Sequence, residues 1–190
     1  SCIMMQAIEI TATILGLIQG VLVMLNRRIN WVFYCLQMIA LLFFSWNVGL
    51  YGDVINDVIY LFLGLCAYYL WGKGTTRCIS LSSVRAVVAY SMVTIVSTVL
   101  LYFYLASTND PLPLLDAIST TTSFLATILM VFRRLDCWII WLINDLLYCA
   151  EYYMLPNQAI YLLILNAVWC IMAIVSFITW RKRLHTKPFE

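Results

Sequence analysis

Charged residues are scarce in this chain. Of its 190 residues only 11% are Asp, Glu, Lys or Arg, against about 25% in an ordinary soluble domain. Hydrophobic residues make up 64% of the chain, and the mean hydropathy is +0.94. The formal net charge of +2 and the clustering of the basic residues leave no basic face for a nucleic acid. The composition therefore predicts an integral membrane protein whose main partner is the lipid bilayer.

Motifs for catalysis and for cofactors are also missing. The chain has no glycine-rich phosphate loop, no nucleophile elbow and no paired metal ligands, and its one histidine is His185. We expect no cofactor and no metal, and ATP-driven pumping within this chain is excluded. An intramembrane enzyme is a weak alternative because the Ser and Cys residues lack a buried His partner. A channel is a third class, without the ring of like charges that a filter would use.

Seven long apolar runs predict seven transmembrane helices. The runs cover residues 8–25, 31–48, 54–71, 86–105, 114–132, 137–155 and 159–180. Helix-breaking and polar residues separate them, at Asn26–Asn30, Gly49–Asp53, Gly72–Ser83, Ser107–Pro113, Arg133–Asp136 and Leu155–Gln158. None of these loops could form a domain, so the predicted fold is all-α. The seven cysteines lie mostly inside apolar runs, which favours buried thiols over a disulfide framework.

All eleven basic residues fall on one side of this seven-helix plan, in the segments that follow helices 1, 3, 5 and 7. The positive-inside rule assigns that side to the cytoplasm. The N-terminus is then outside and the C-terminus cytoplasmic. Residues 1–9 carry no basic segment of the kind that precedes a cleaved signal peptide, so helix 1 is predicted to be retained.

The first three helices resemble the last three. Alignment of the two sets pairs Arg27 with Arg134 and Trp31 with Trp138, and after a short insertion that follows helix 6 it pairs Trp71 with Trp180. Chance matching of apolar helices accounts for part of this similarity. Because helix 4 adds one crossing, both copies begin outside, which predicts a 3+1+3 parallel repeat. The predicted units are 1–85, a linker helix in 86–113, and 114–190, a plan found in small transporters.

Polar and aromatic residues at membrane depth mark a candidate substrate site, because such groups usually face a cavity or another helix. Aromatic faces, amides and a carboxylate suit a planar polar ligand, including a cationic heteroaromatic one. The candidates occupy equivalent places in the two copies: Tyr34 and Gln37 on helix 2, Asn56, Asp57 and Tyr60 on helix 3, Trp138, Trp141, Asn144, Asp145 and Tyr148 on helix 6, and Asn166 and Trp169 on helix 7.

Several of these residue types also have a structural interpretation. Trp31 and Trp138 could anchor the membrane interface, and Trp71 and Trp180 are interpreted as interface anchors because basic residues lie beside them. The amides of the candidate set could instead join one helix to another. Thr120–Ser123 are expected to bond to the backbone of their own helix or to bend it.

Three segments resemble the PnuC family of bacterial vitamin transporters, and the likeness extends over nearly the whole chain, from about Glu9 to Arg181. They are Trp46-Asn-Val-Gly-Leu-Tyr-Gly-Asp53, Asp136-Cys-Trp-Ile-Ile-Trp-Leu-Ile-Asn-Asp145 and Phe177-Ile-Thr-Trp-Arg181. The most specific feature is the pair of Trp residues three positions apart on helix 6.

The resemblance implies uptake of nicotinamide riboside across the bacterial inner membrane by facilitated diffusion without ion coupling. A separate cytoplasmic kinase would then trap the ligand. It also implies a fold related to the SWEET sugar transporters and assembly as a homo-oligomer such as a homotrimer.

By the same resemblance, the cationic nicotinamide ring would stack on Trp141 or Trp138, and Asn144, Asp145 and Gln37 would bond its amide or ribose. Relatives in the family carry thiamine or riboflavin, and these vitamins remain alternatives, thiamine first. The mononucleotide is less favoured because no Lys or Arg lies in the candidate set to meet a phosphate.

Overall fold

The chain is described by a computed structural model that covers residues 2–48, 51–73, 78–108, 112–154 and 160–184. These residues form seven helices: α1 (Cys2–Met24), α2 (Asn30–Val48), α3 (Tyr51–Lys73), α4 (Val84–Ala106), α5 (Pro113–Val131), α6 (Cys137–Met154) and α7 (Ile160–Lys182). Each helix coincides with one predicted apolar run, and the largest difference is the earlier start of α1. In the described ranges the only extended pairing is an isolated bridge between Ser80 and Arg134. The predicted all-α fold with seven helices is confirmed.

Local sequence signals explain two of the helix starts. Ser83 caps α4, because its hydroxyl oxygen accepts a hydrogen bond from the Ala86 amide at 3.3 Å. Pro113 is the first residue of α5, where its missing N–H costs no helical hydrogen bond. The predicted breaks at Gly49–Asp53, Gly72–Ser83, Ser107–Pro113 and Leu155–Gln158 fall wholly or partly outside the described residues.

The same turn ends α1 and α5. Asn26 and Arg133, which the repeat places at equivalent positions, both adopt a left-handed backbone, with φ of 58° and 51°. The amide of the next residue donates to a carbonyl five positions earlier, at 2.9 Å from Leu22 in one turn and 2.9 Å from Leu129 in the other. This is the Schellman arrangement, which satisfies carbonyls at a helix end. The repeat predicted from side chains therefore extends to the backbone of the turn.

The described residues form two compact units. In the first unit, which extends to Cys78, α2 packs against both α1 and α3. In the second unit, which begins at Ile79, α5 packs against α4 and α6, and α6 packs against α7. In each unit the helix that carries the repeated Trp and amide residues, α2 or α6, is held from two sides.

An edge-to-face tryptophan pair forms part of the core of each unit. Trp31 and Trp71 have ring centroids 5.5 Å apart and planes at 85°, and Trp138 and Trp180 have centroids 5.2 Å apart and planes at 90°. All four rings are buried. The interpretation of Trp71 and Trp180 as interface anchors is therefore wrong, because each ring packs inside its own unit on the Trp that begins the neighbouring helix. The matching pairs agree with the predicted alignment of the third helix of each copy.

Apolar side chains cover the outside of the helices. Helix α4 has no buried residue in the structure, although it is made almost entirely of apolar residues. Among the described residues, α4, α5 and the segment Leu163–Lys182 are long and apolar enough to cross a membrane, and α1, α2 and α6 contain shorter apolar stretches. A surface of this kind is stable against lipid tails.

Candidate functional site

Helix α6 carries the densest group of predicted site residues. Trp138, Trp141 and Asn144 are spaced by three and share one face of the helix, and Tyr148 follows about one turn later. Trp138 and Asn144 are buried, whereas Trp141 and Tyr148 are half-buried. Because α5 and α7 both pack on α6, this face is a polar and aromatic surface held inside the second unit.

Asn144 is completely buried and joins α6 to α5. Its side-chain nitrogen Nδ2 donates to the Ser119 carbonyl oxygen at 2.7 Å and to the Thr122 hydroxyl oxygen at 2.9 Å. The helix-to-helix interpretation of this amide is therefore correct for its nitrogen. Its oxygen Oδ1 is buried and has no hydrogen-bond partner within the described residues.

Two hydrogen-bond donors on the same face are also buried without a partner in the described part of the chain. They are the indole nitrogens Nε1 of Trp138 and Trp141. On α7, the Ser176 hydroxyl oxygen is a further atom of this kind. A buried polar atom left unpaired costs about 1 to 3 kcal/mol. A ligand that offers both donors and acceptors would recover part of that free energy.

Trp138 and Trp141 differ in how much of their ring is already packed against other residues. The Trp138 ring is 6% exposed and packs edge to face on Trp180. Trp141 is half-buried. Trp141 is therefore the stronger candidate for stacking on a planar ligand, and Trp138 is a packed residue whose indole N–H is still unused within the described residues.

Asp145 supplies a carboxylate beside Asn144. The side chain is only 6% exposed, in a helix whose other residues near it are apolar. An isolated charge at such a place is costly unless a partner of opposite charge or a proton is present. The position suits a cationic ligand.

The remaining candidates of the second unit lie on α7. Asn166 and Trp169 are half-buried on this helix, which packs directly against α6. Equivalent residues in the first unit are Asp57 and Tyr60 on α3, and there Asp57 is 9% exposed while Tyr60 and its neighbour Asn56 are half-buried. All of these residues thus occupy sheltered positions in their own units.

Tyr34 and Gln37 of the first unit pack against glycines. A Cβ atom added at Gly64 of α3 would lie 2.7 Å from the Tyr34 ring, and one added at Gly16 of α1 would lie 2.5 Å from the Gln37 side-chain nitrogen. Tyr34 also contacts Trp31 edge to face, with centroids 5.3 Å apart. The glycines let α1 and α3 approach α2 closely, and Tyr34 contributes to that packing.

Three polar residues of the interior were not among the predicted site residues: Ser119, Thr122 and Ser176. The expectation that Thr120–Ser123 bond to the backbone of their own helix is confirmed for Thr121, Thr122 and Ser123, since for example the Thr122 hydroxyl donates to the Ile118 carbonyl at 2.7 Å. The Thr120 hydroxyl instead donates to the Asp116 carboxylate at 3.2 Å. The additional bond from Asn144 was missed. A usable signal exists in the sequence, because Ser119, Thr122 and Ser123 recur at helical spacing and must face a neighbouring helix.

A second buried amide contact lies in the first unit. The Gln19 side-chain nitrogen donates to the Asn30 side-chain oxygen at 3.3 Å, and both residues are buried. The Asn30 nitrogen in turn donates to the Arg27 carbonyl at 2.7 Å. This contact joins α1 to the start of α2, so it is a structural amide pair near the turn.

Seven helices with an apolar exterior and a buried face of indoles, an amide and a carboxylate define a multi-pass membrane protein with an internal polar site. The chain belongs to the nicotinamide mononucleotide transporter family, whose model matches residues 6–182. The resemblance predicted from the sequence is thereby confirmed, and the class is that of a membrane transporter.

Two known proteins illustrate the relationship. The chain is 21% identical over 188 residues to the nicotinamide riboside transporter PnuC of Neisseria mucosa, across 90% of this chain and 70% of that protein. It also matches the crystal structure of the vitamin B3 transporter PnuC with a TM-score of 0.73 at 20% identity, over 90% of this chain and 79% of that one. The second comparison supports the fold described above.

Proposed function

We propose that the protein takes up nicotinamide riboside across the bacterial inner membrane by facilitated diffusion. A separate cytoplasmic kinase then phosphorylates the ligand and traps it. The name of the Neisseria relative and the family membership support the substrate class. The observation that carries the proposal is the α6 face, where two indole donors and one amide acceptor are buried without partners in the described residues.

The chemistry of nicotinamide riboside complements that face. Its pyridinium ring is planar and cationic, so it can stack on the Trp141 indole and balance the charge of Asp145. Its carboxamide and ribose offer hydrogen-bond donors and acceptors to Asn144 and to the indole N–H groups. Tyr148, Asn166 and Trp169 complete the proposed binding residues of the second unit, and Gln37, Tyr34, Asn56, Asp57 and Tyr60 are the proposed binding residues of the first unit.

Phosphorylated ligands fit this proposal less well. Helices α2, α5 and α6 contain no Lys or Arg, and the basic residues of α3 and α7 lie in their last turns. A phosphate is usually met by Arg, Lys or a helix N-terminus. Thiamine is the main alternative because it is also a cationic heteroaromatic alcohol, and riboflavin comes after it.

Ligand-induced thermal stabilisation of the purified protein tests the substrate. A ligand that binds only the folded state raises its apparent stability. We expect a shift with nicotinamide riboside and none with thiamine, riboflavin or nicotinamide mononucleotide at equal concentration. A shift with thiamine alone would overturn the named substrate.

Replacement of Trp141 tests the site. Trp141→Ala should weaken nicotinamide riboside binding by roughly 1 to 3 kcal/mol, the scale of a stacked aromatic contact with a cation. Trp46→Ala is the matched control, since Trp46 is 63% exposed at the end of α2. Unchanged binding in a folded Trp141→Ala variant would remove this residue from the site.

Uptake into vesicles tests the transport mode. If transport is facilitated diffusion, collapse of the proton and sodium gradients leaves the initial rate unchanged. A rate that depends on either gradient would contradict the proposal and would make Asp145 or Asp57 a candidate coupling site.

Orientation and assembly belong to the same proposal. The clustering of the basic residues supports an outside N-terminus and a cytoplasmic C-terminus. Labelling of Cys78 by a membrane-impermeant thiol reagent tests this orientation, because Cys78 is exposed and follows α3. Reaction only in inverted vesicles is expected.

The family resemblance supports a homotrimer, and the mass of the detergent-solubilised particle tests that state.

A further inference from the structure

The hydrogen-bond acceptors on α5 determine the orientation of the Asn144 amide. A backbone carbonyl can only accept, so the amide atom 2.7 Å from the Ser119 oxygen must be the NH₂ nitrogen. The second contact, 2.9 Å to the Thr122 hydroxyl oxygen, has the same polarity if that hydroxyl acts as an acceptor.

Thr122 does act as an acceptor toward Asn144. Its own hydroxyl hydrogen has two carbonyl acceptors on α5, Ile118 at 2.7 Å and Ser119 at 3.2 Å. Because the hydrogen is directed at a carbonyl, the lone pairs of the hydroxyl oxygen remain for the Asn144 nitrogen. Both hydrogens of the Asn144 amide are thereby committed to α5.

Because both amide hydrogens bond α5, Asn144 can act toward a ligand only as a hydrogen-bond acceptor. The side chain is completely buried, and its Oδ1 atom has no partner among the described residues. An amide normally serves as donor and acceptor, but here only the acceptor is available.

We propose that Thr122 is a positioning residue that fixes the Asn144 amide, so that the site selects a ligand group that donates a hydrogen bond. This inference rests on the proposed function, and it assigns the selected group as the carboxamide NH₂ of the nicotinamide ring. The Trp141 indole N–H lies one turn away on the same face and is an unused donor in the described part of the chain. A carboxamide carries a donor and an acceptor side by side, which matches this pair.

The experiment compares two ligands that differ in a single group. Nicotinamide riboside is tested against its 3-acetylpyridine analogue, in which a methyl group replaces the NH₂ and the carbonyl is retained. A site built to bond a donor rejects the analogue that lacks it, because the buried acceptor stays unpaired. We expect the unmodified protein to prefer the carboxamide by about tenfold or more in dissociation constant.

Substitution of Thr122 should abolish the preference. In Thr122→Val the hydroxyl is lost, so one Asn144 amide hydrogen is released from α5 while the other still bonds the Ser119 carbonyl. The released hydrogen can then meet a carbonyl of the ligand, and the preference should fall to about threefold or less. Thr122→Ser keeps the hydroxyl and should restore the preference. Thr127→Val is the matched control, since the buried Thr127 hydroxyl on the same helix donates to the Ser123 carbonyl at 2.8 Å.

The outcomes separate the two proposals. If the unmodified protein binds neither riboside, the proposed function fails. If it binds nicotinamide riboside but tolerates the acetyl analogue equally, or if Thr122→Val keeps the full preference, the positioning role fails while the function stands. Thr122→Ala gives the same readout if the valine variant does not fold. The ratio of two affinities in one variant is unaffected by a general loss of stability.

Discussion

The two repeated three-helix sets share the turn after their first helix and a tryptophan pair, but they differ in how they hold the amide on the middle helix. Gln37 of α2 lies against Gly16, which has no side chain to bond it. Its equivalent in the second copy, Asn144, is held by the carbonyl of Ser119 and the hydroxyl of Thr122. The first copy has Ala12 and Leu15 at the positions of those two residues. Within the described residues, the amide at this repeated position is therefore held by hydrogen bonds only in the second copy.

The turns between the first two helices of each copy also differ in what they bind. In the first copy, Arg28 donates to the Tyr68 carbonyl at 2.8 Å and lies 3.9 Å above the Tyr68 ring. In the second copy, Arg134 donates to the Ser80 hydroxyl at 2.9 Å. The first turn is thus held on its own third helix, and the second on the segment that leads into α4.

Asp136 strengthens this second attachment. Its carboxylate accepts hydrogen bonds from the Ser82 amide at 3.1 Å, the Ser82 hydroxyl at 2.6 Å and the Tyr90 hydroxyl at 2.9 Å. The equivalent residue in the first copy is Ile29, which is 48% exposed. The side-chain attachments of the two turns therefore differ, although the left-handed turn and the tryptophan pair are present in both copies.

The largest predicted effect concerns the shared tryptophan pairs. Trp180→Ala and Trp71→Ala should each lower the free energy of unfolding in detergent by about 3 to 5 kcal/mol, because each removes a buried ring and leaves a cavity. Denaturant titration followed by circular dichroism measures both. Losses that differ by more than about a factor of two would show that the two pairs are not equivalent.

Asp136→Ala should have the next largest effect. It removes an ionised acceptor of three hydrogen bonds, at about 1.5 to 3 kcal/mol for bonds to a charged group. The same titration measures it, and Ile29→Ala in the first copy is the control, with a loss below about 1 kcal/mol. An equal loss in both variants would contradict the asymmetry between the turns.

Gly64→Ala should destabilise by about 1 to 3 kcal/mol through overpacking. The new methyl group would meet the Tyr34 ring at 2.7 Å and the Cys35 sulfur at 2.9 Å. The second copy already has an alanine at this place, Ala173, so Ala173→Gly is the reciprocal variant. It should cost about 1 kcal/mol from helix propensity. A stabilising Gly64→Ala would show that α2 and α3 are less tightly packed than described.

Arg28→Lys should give the smallest effect, about 0.5 to 1 kcal/mol, since Arg28 is exposed and its loss is partly screened by solvent. Lysine keeps the charge but cannot reach the Tyr68 carbonyl with the same planar group. Arg27→Lys, at the neighbouring exposed position, is the control and should leave the melting temperature unchanged.

The helices could be predicted because lipid imposes one requirement on every span, which is an apolar exterior long enough to cross the hydrocarbon core. A run of about 20 apolar residues satisfies it, and the observed bounds follow those runs. The left-handed turn at Arg133 could not be predicted, since this conformation normally signals Gly or Asn and the sequence has neither there. The Asp136 cluster joins residues 46 and 54 positions apart, a separation that no periodic pattern reports.

For the candidate site, the shared face could be predicted from residue types and their spacing, but the hydrogen-bond partners could not. The spacing of Trp138, Trp141 and Asn144 predicts a shared face, which the structure has. The sequence left open whether Asn144 serves helix packing or a ligand. In the structure the nitrogen of this side chain bonds α5, which is the packing role, and its oxygen has no partner in the described residues. Only atomic contacts between helices can make that distinction.

The bond from Asn144 to α5 also bears on biosynthesis. Helices leave the ribosome in chain order, so α5 reaches the membrane before α6. A polar side chain at the middle of a lone helix opposes its insertion. The Ser119 carbonyl and the Thr122 hydroxyl are then already present as acceptors for the Asn144 amide. Helix α5 can thus act as an insertion partner for α6, lowering the cost of carrying a buried amide through the translocon into the bilayer.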